Sequence, residues 1–188
     1  LASHANNETS QSSGRQNIIR GNTVSESSGT GIRLLGAVNT LIGQDEAEPR
    51  EEHANLIQGN EMDGVVIRNG STGSAATDNE VLGNTIRDNG RHGVLIHGAT
   101  SVRNSVVRNS ITNNLSRGIK LRDGANHDVR PPRITIVNPD TGYIGGQTWP
   151  NALIEVYHDE DGEGQVYDGQ TVADGQGFWG FNLLTNPY

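Results

Sequence analysis

The sequence repeats a pattern of asparagine, glycine and small apolar residues at nearly constant intervals. Four segments align, and they begin at Asn17, Asn55, Asn79 and Asn104. The last three starts lie 24 and 25 residues apart, whereas an acidic stretch, residues 40–54, lengthens the first interval. One such segment cannot bury its own apolar residues, but stacked copies can. The repeat therefore predicts a stack of coils with a narrow, continuous core.

Each copy contains short stretches in which Val, Ile or Leu alternates with polar residues, separated by turns rich in Asn and Gly. This alternation is typical of β-strands, and the scarcity of Ala and Glu argues against helical repeats of similar length. Only 32% of the residues are hydrophobic and 4% aromatic, which suits a thin core of aliphatic side chains. We therefore predict an all-β chain whose first part is a parallel β-helix.

Because alternate residues of a strand face the same side, the alignment predicts which side chains stack on one another. The first two predicted columns are Ile19, Ile57, Val81 and Val106, then Val24, Met62, Ile86 and Ile111. The other two are Ile32, Val65, Val94 and Ile119, then Leu34, Ile67, Ile96 and Leu121. A polar column at a turn is predicted to contain Asn22, Asn60, Asn84 and Asn109. We interpret it as structural, because stacked amides can hydrogen-bond between coils and asparagine tolerates left-handed backbone.

The pattern stops after Asn126, and the two tryptophans, Trp149 and Trp179, both follow. A Pro-Pro pair opens this part, and short alternating strands separated by DG and GQG turns come next. We predict two domains, a β-helix at residues 1–128 and a small antiparallel sandwich at residues 129–188. The sandwich is short for its class, so we expect it to be truncated. The first residues align with the end of a coil, so we expect further coils, from the parent chain or neighbouring subunits, to stack on this one.

Several lines carry a resemblance to a known family: "NTLIG" and "NLIQGNEMDGVVI", then "PPRITIV" and "PNALIEVYHDEDGEGQVYDGQTVADGQGFWGF". They are similar to bacterial secreted proteins with right-handed parallel β-helix repeats of the pectate-lyase-like fold, in which an immunoglobulin-like module often follows the coils. The resemblance implies a right-handed helix of about four to five coils, an immunoglobulin-like sandwich, and an extracellular or cell-surface location. It leaves activity open, because this fold serves lyases, hydrolases, epimerases and non-catalytic surface proteins.

The bulk composition argues against several classes of protein. The net charge of −8 disfavours a general nucleic-acid binder, which would need a basic field. There is no cysteine, so the chain has no disulfide, thiol nucleophile or thiolate-bound zinc. No apolar run is long enough to span a bilayer.

Four basic residues are predicted to face outward from the last strand of successive coils: Arg68, His97 and Arg122 in one column and Lys120 in the next. Coils stack about 4.8 Å apart, so the four would form a stripe that pairs with carboxylates or sulfates of an anionic polysaccharide. The alternative is a row of solvated charges that discourages aggregation. The resemblance implies that a β-helix lyase can use an arginine base beside Ca²⁺. No acidic residue occupies these columns, so no catalytic residue is predicted.

An acidic turn supplies a candidate metal site. Asp159, Asp161 and Glu163 alternate there, as at the start of a calcium-binding loop. The twelfth position holds Gln170 instead of glutamate and no helices are predicted on either side, so the turn is not an EF-hand. Two interpretations stay open, a weak Ca²⁺ site and a plain acidic turn, and no other cofactor is predicted. The tryptophans likewise have two readings, sugar stacking and core packing.

Together these features favour a non-catalytic, extracellular structural or adhesive fragment that binds anionic glycans through the stripe. The alternative is part of a polysaccharide lyase, epimerase or hydrolase. Glycoside hydrolysis needs two carboxylates on one surface. The candidates Asp63, Glu80 and Asp88 are predicted to lie on different faces, so the sequence shows no convincing pair.

Overall fold

The computed structural model describes residues 17–47 and 49–184. The chain forms two compact units. The first contains the residues up to Asp128 and, in addition, Glu160–Gln165. The second contains Val129–Asp159 and the residues from Val166 onward. The short segment Glu160–Gln165 is therefore part of the first unit, although it lies between two strands of the second in the sequence.

Twelve short strands of the first unit form three parallel sheets of four strands each. The first sheet contains β1 (Asn17–Ile19), β4 (Thr40–Gly43), β7 (Glu80–Leu82) and β10 (Ser105–Val107). The second contains β2 (Thr23–Ser25), β5 (Leu56–Gln58), β8 (Thr85–Arg87) and β11 (Ser110–Thr112). The third contains β3 (Ile32–Leu35), β6 (Val65–Arg68), β9 (Val94–His97) and β12 (Ile119–Arg122). Every coil adds one strand to each sheet, so the chain makes three turns between β1 and β10, and the predicted β-helix is confirmed.

Four apolar columns fill the interior, and the strand register corrects two of the predicted ones. The first column is Ile19, Ile42, Val81 and Val106, and the second is Val24, Ile57, Ile86 and Ile111. The prediction was wrong at Ile57, which belongs to the second column, and at Met62, which is exposed and belongs to neither. The cause is that residues 40–43 are the first strand of the second coil, so the acidic stretch is inserted after that strand. The third and fourth predicted columns are confirmed.

Buried amides form ladders at the corners between sheets. One ladder is Asn22, Asn55, Asn84 and Asn109, and another is Asn60, Asn89 and Asn114. The prediction placed Asn60 in the first ladder, where Asn55 lies instead. Asn84 shows the common pattern: its Oδ1 accepts from the backbone N (3.1 Å) and Nδ2 (2.8 Å) of Asn55. Its Nδ2 donates to Asn109 Oδ1 (3.0 Å) and to the carbonyl of Ile42 (2.9 Å), so the buried amide is fully satisfied.

The residue before each amide of the second ladder has a left-handed backbone. These residues are Gly59, Asp88 and Asn113, with φ angles of 62°, 56° and 55°, and Glu26 takes the same position in the first coil with φ 54°. This conformation favours Gly, Asn and Asp and is costly for other residues. The turns at Gly59–Asn60, Asp88–Asn89 and Asn113–Asn114 are therefore rich in Asn, Asp and Gly, because a left-handed residue precedes the buried amide in each of them.

The second unit contains two antiparallel sheets. One has the order β13 (Arg133–Asn138), β14 (Tyr143–Gln147), β17 (Phe178–Asn182), with β14 in the centre. The other is the pair β15 (Leu153–His158) and β16 (Val166–Val172). A small core of Ile154, Ala173 and Trp179 is buried in this unit. Trp149, by contrast, is 62% exposed, so core packing holds for only one of the two tryptophans.

Candidate anion-binding face

The outer face of the third sheet carries the predicted basic residues. Arg68 lies opposite His97, and His97 lies opposite Arg122, so these three side chains occupy the same position on adjacent strands. Lys120 lies opposite Leu95, in the neighbouring outward column. Adjacent strands are about 4.8 Å apart, which sets the spacing of the three-residue column. The structure thus brings the four residues onto one face, as the strand alternation predicts.

One carboxylate partly neutralises this stripe. Asp123 Oδ2 lies 2.5 Å from His97 Nε2 and 3.4 Å from Arg122 Nε. Both contacts are partly exposed to solvent, where ion pairs are weak and screened by salt. Arg68 and Lys120, by contrast, have no acidic partner among the residues that the structure describes. They are the two members of the stripe that can bind an external anion without giving up an internal one.

A second group of positive charges lies close to Lys120, at the turns before β9 and β12. Burial lowers the pKa of His92, and the positive charges of Arg91, Lys120 and Arg117 lower it further, while Asp63 acts in the opposite direction. The buried Asp63 accepts a hydrogen bond from the backbone of His92 (3.2 Å), and its other oxygen lies 3.9 Å from Arg91. Three cations therefore act electrostatically on one imidazole.

Sequence reasoning missed Arg91 and Arg117 because it considered strand positions only. The two residues lie in turns that precede Gly93 and Gly118, which are equivalent positions of consecutive coils. Arg117 takes the position of His92 and Arg91 lies one residue earlier, so basic residues at adjacent turn positions of consecutive coils were the available signal. We call the set Arg68, Arg91, Arg117, Lys120 and Arg122 the basic face.

Other arginines of the first unit are already engaged. Arg103 holds Asp78 through two hydrogen bonds of 2.7 and 2.8 Å, and this pairing holds the pKa of Asp78 below its usual value. Arg87 contacts the neighbouring Asp88 at 2.8 Å, and Arg108 contacts Glu46 at 3.2 Å. These pairs lie outside the third sheet, whereas Arg68, Arg117 and Lys120 of the basic face have no carboxylate partner among the described residues.

The predicted calcium ligands make hydrogen bonds at the end of the β-helix. Asp161 Oδ2 accepts from Asn113 N (2.7 Å) and Thr112 Oγ1 (2.8 Å), and the Asn113 bond is the main cause that lowers the pKa of Asp161. Glu163 Oε2 accepts from the backbone N (2.9 Å) and Nδ2 (3.0 Å) of Asn114. Asp159 belongs to the second unit. Within residues 17–47 and 49–184, no three His, Asp or Glu side chains are grouped to hold a metal, and calcium binding stays a prediction.

The three carboxylates considered for hydrolysis have separate surroundings. Asp63 is buried against the turn before β9, Glu80 lies in β7 of the first sheet, and Asp88 pairs with Arg87 at the end of β8. In the part of the chain that the structure describes, no helix is long and apolar enough to cross a membrane.

Comparison with protein families matches residues 7–138 to the right handed beta helix region family. The match covers more than half of the chain, and the chain therefore belongs to the right-handed β-helix family. No curated protein and no solved structure matches it. The fold and the family are thus shown by two independent observations, and the function has to be argued from the surface.

Proposed function

We propose that this protein is a non-catalytic, extracellular structural or adhesive component that binds anionic glycans through its basic face. The observation that carries the proposal is that Arg68 and Lys120, unpaired among the described residues, lie on one face beside Arg91, Arg117 and Arg122 in a chain of net charge −8. Cations gathered on one face of an otherwise acidic protein attract a polyanion locally while the rest of the surface repels it.

The geometry favours a linear polymer over a small anion. The column of Arg68, His97 and Arg122 runs from coil to coil, so it places guanidinium groups two coils apart along the stacking direction. A polyuronate or sulfated glycan repeats its charges along a chain in the same way. Arginine can hold carboxylate or sulfate oxygens with two parallel hydrogen bonds, and the laddered backbone is already ordered, which reduces the entropy cost of binding.

One structural feature supports the extracellular assignment. The two antiparallel sheets of the second unit, of three and two strands, are compatible with the immunoglobulin-like module suggested by the sequence, and many cell-surface domains share that architecture.

Titration calorimetry of the protein with polygalacturonate and with heparin measures the affinities that test the proposal. The double substitution Arg68→Ala with Lys120→Ala is expected to weaken binding about tenfold or more. Arg87→Ala with Arg103→Ala removes the same charge elsewhere in the first unit and is expected to change affinity less than about twofold. Equal losses for both pairs, or no binding at low salt, would contradict the assigned face.

The competing function is a polysaccharide lyase, epimerase or hydrolase. Incubating the protein with polyuronates and Ca²⁺, and following the absorbance of an unsaturated product, distinguishes the two. Product that disappears in Arg68→Ala or Arg122→Ala would overturn the non-catalytic assignment and leave the basic face as a substrate site.

A further inference from the structure

The outer face of the three-stranded sheet in the second unit presents aromatic rings over a glycine floor. Tyr143, Gly145 and Gln147 alternate along the central strand β14 and face the same side. Their partners on β17 are Asn182, Gly180 and Phe178, and Ile136 of β13 lies opposite Gly145. Gly145 and Gly180 are thus direct neighbours across the strands, flanked by larger side chains.

The ring of Tyr143 lies across these two glycines. A Cβ atom built on Gly180 would approach Tyr143 Cζ to 2.9 Å and Cε2 to 3.0 Å. A Cβ atom on Gly145 would lie 3.2 Å from Tyr143 Oη and 3.3 Å from Cε1. Several ring atoms therefore rest directly on the backbone of both strands. The missing side chains at Gly145 and Gly180 let the ring lie close to the sheet.

This arrangement leaves an apolar, aromatic surface in contact with solvent. Tyr143 is 38% exposed, and Phe178 and Ile136 are each 51% exposed. On the opposite side of the same sheet, Trp179 and Phe181 are buried. Aromatic residues make up only 4% of the chain, so two exposed rings on one face of a small sheet are a concentrated feature that core packing does not explain.

The polar positions of the face are mainly amides. Gln147 and Asn182 lie at the two ends of the glycine pair, and Asn138 lies opposite Tyr143 on β13. Arg133, opposite Gln147, is the charged residue at its margin. An amide can both donate and accept hydrogen bonds, as a sugar hydroxyl can.

We propose that this aromatic face is a second glycan site, which takes a neutral polysaccharide by stacking pyranose rings on Tyr143 and Phe178. The apolar C–H face of a pyranose is complementary to the negative face of an aromatic ring. Hydroxyls at the sugar edge then reach the amide of Gln147. Exposed rings beside amide groups, with a single charged residue at the margin, suit the apolar faces and the hydroxyl edges of a neutral sugar chain.

Two binding measurements on the protein test the site. In the first, the protein is mixed with microcrystalline cellulose or with chitin, and the loss of protein from solution is measured. In the second, it is titrated with the corresponding soluble hexasaccharides, and its intrinsic fluorescence is followed. Tyr143→Ala is expected to reduce affinity about tenfold, while Tyr143→Phe, which keeps the ring, is expected to stay within about threefold. Gly180→Ala is expected to reduce affinity as well, because the added Cβ displaces the ring. An unchanged melting temperature in Tyr143→Ala verifies that the fold persists.

Salt separates this site from the basic face, since stacking on a neutral sugar is expected to be unaffected by added NaCl. Absence of binding to every neutral glycan, or equal binding by Tyr143→Ala, would overturn the proposal. Self-association of the protein that Tyr143→Ala abolishes, measured by sedimentation, would also overturn it by assigning the face to a second copy of the chain.

Discussion

Glu163 accepts from Asn114 the two hydrogen bonds that an asparagine of a further coil would accept in the ladder. Its Oε2 accepts from both the backbone N and the Nδ2 of Asn114, at 2.9 and 3.0 Å. Asn114 Oδ1 accepts the same two bonds from Asn89, at 3.2 and 2.9 Å. The carbonyl of Gly164 accepts a hydrogen bond from Ile111 N at 3.0 Å, so this segment pairs with β11 at the edge of the second sheet. An inserted turn thereby covers part of an open β edge, which would otherwise be available for pairing.

Glu163→Ala is expected to lower the free energy of unfolding of the first unit by about 2 kcal/mol, because it removes an acceptor from two nearly buried donors. Glu163→Gln keeps a carbonyl oxygen at the same reach and is expected to cost less than about 1 kcal/mol. Urea denaturation of both variants measures the difference. Equal stability of Glu163→Ala and the parent would show that the ladder needs no closing residue.

Acid is expected to loosen the same segment through Asp161. Its folded-state pKa lies below the usual value, mainly because Asn113 N–H donates to the carboxylate. A depressed pKa contributes stability above the pKa of the unfolded state, and that contribution is lost as the pH falls through the folded-state pKa. Hydrogen exchange or the NMR shift of the Asn113 amide should therefore change below about pH 4. Asp161→Asn keeps an acceptor but cannot titrate, so it should abolish that part of the change. Because Glu163 is a second carboxylate in the same turn, the comparison is made between two proteins that both carry Glu163→Gln.

Asn84→Ala tests the ladder in its middle, where Asn84 is buried and bonded to both neighbouring coils. Removing its amide leaves the N–H groups of Asn55, the Oδ1 of Asn109 and a carbonyl of β4 without this partner. We expect a loss of about 3 kcal/mol or more in the free energy of unfolding. Thr85→Ala, one residue along and facing outward, is the control and should stay within about 0.5 kcal/mol. A similar small loss for both would mean that packing alone holds the coils.

The left-handed corner positions permit a reciprocal test. Gly59 and Glu26 occupy the same corner in successive coils, and a Cβ on Gly59 would contact nothing within 4 Å. Gly59→Ala therefore isolates the backbone cost of φ 62° and should destabilise the protein by about 1 kcal/mol. Glu26→Gly should stabilise it by about 0.5 kcal/mol. Thermal unfolding of both variants checks that the two melting temperatures shift in opposite directions. Shifts in the same direction would contradict the preference for glycine at this left-handed corner position.

Strand alternation within each coil was enough to predict the β-helix and its third and fourth columns, because inward positions of β3, β6, β9 and β12 are Ile, Val or Leu throughout. The first two columns were misassigned in the second coil because an insertion hid where that coil begins. Similar "NxI" lines at Asn17 and Asn55 belong to different sheets. Spacing alone could not decide between them, since the corners use the same local chemistry.

The basic stripe followed from the same alternation, so Arg68, His97, Lys120 and Arg122 lie on one face as predicted. The sequence could not show which of these basic residues are paired with a carboxylate. Asp123 follows β12 in the sequence, but its contact with His97 crosses from one coil to the next. Likewise, the acidic turn lies far from the repeats in sequence, and only three-dimensional closure of the β-helix places Asp161 and Glu163 beside its last corner.

The salt dependence of polygalacturonate binding tests the account most directly, because it counts the cations that engage the polymer. The affinity of the parent protein should fall steeply between about 50 and 300 mM NaCl, and each basic-face cation removed should lower the slope of log affinity against log salt by up to about one. Arg68→Ala with Lys120→Ala should therefore flatten the slope, while Arg87→Ala with Arg103→Ala should leave it unchanged. A salt-independent affinity, or the same slope in all three proteins, would contradict binding of anionic glycans by the basic face.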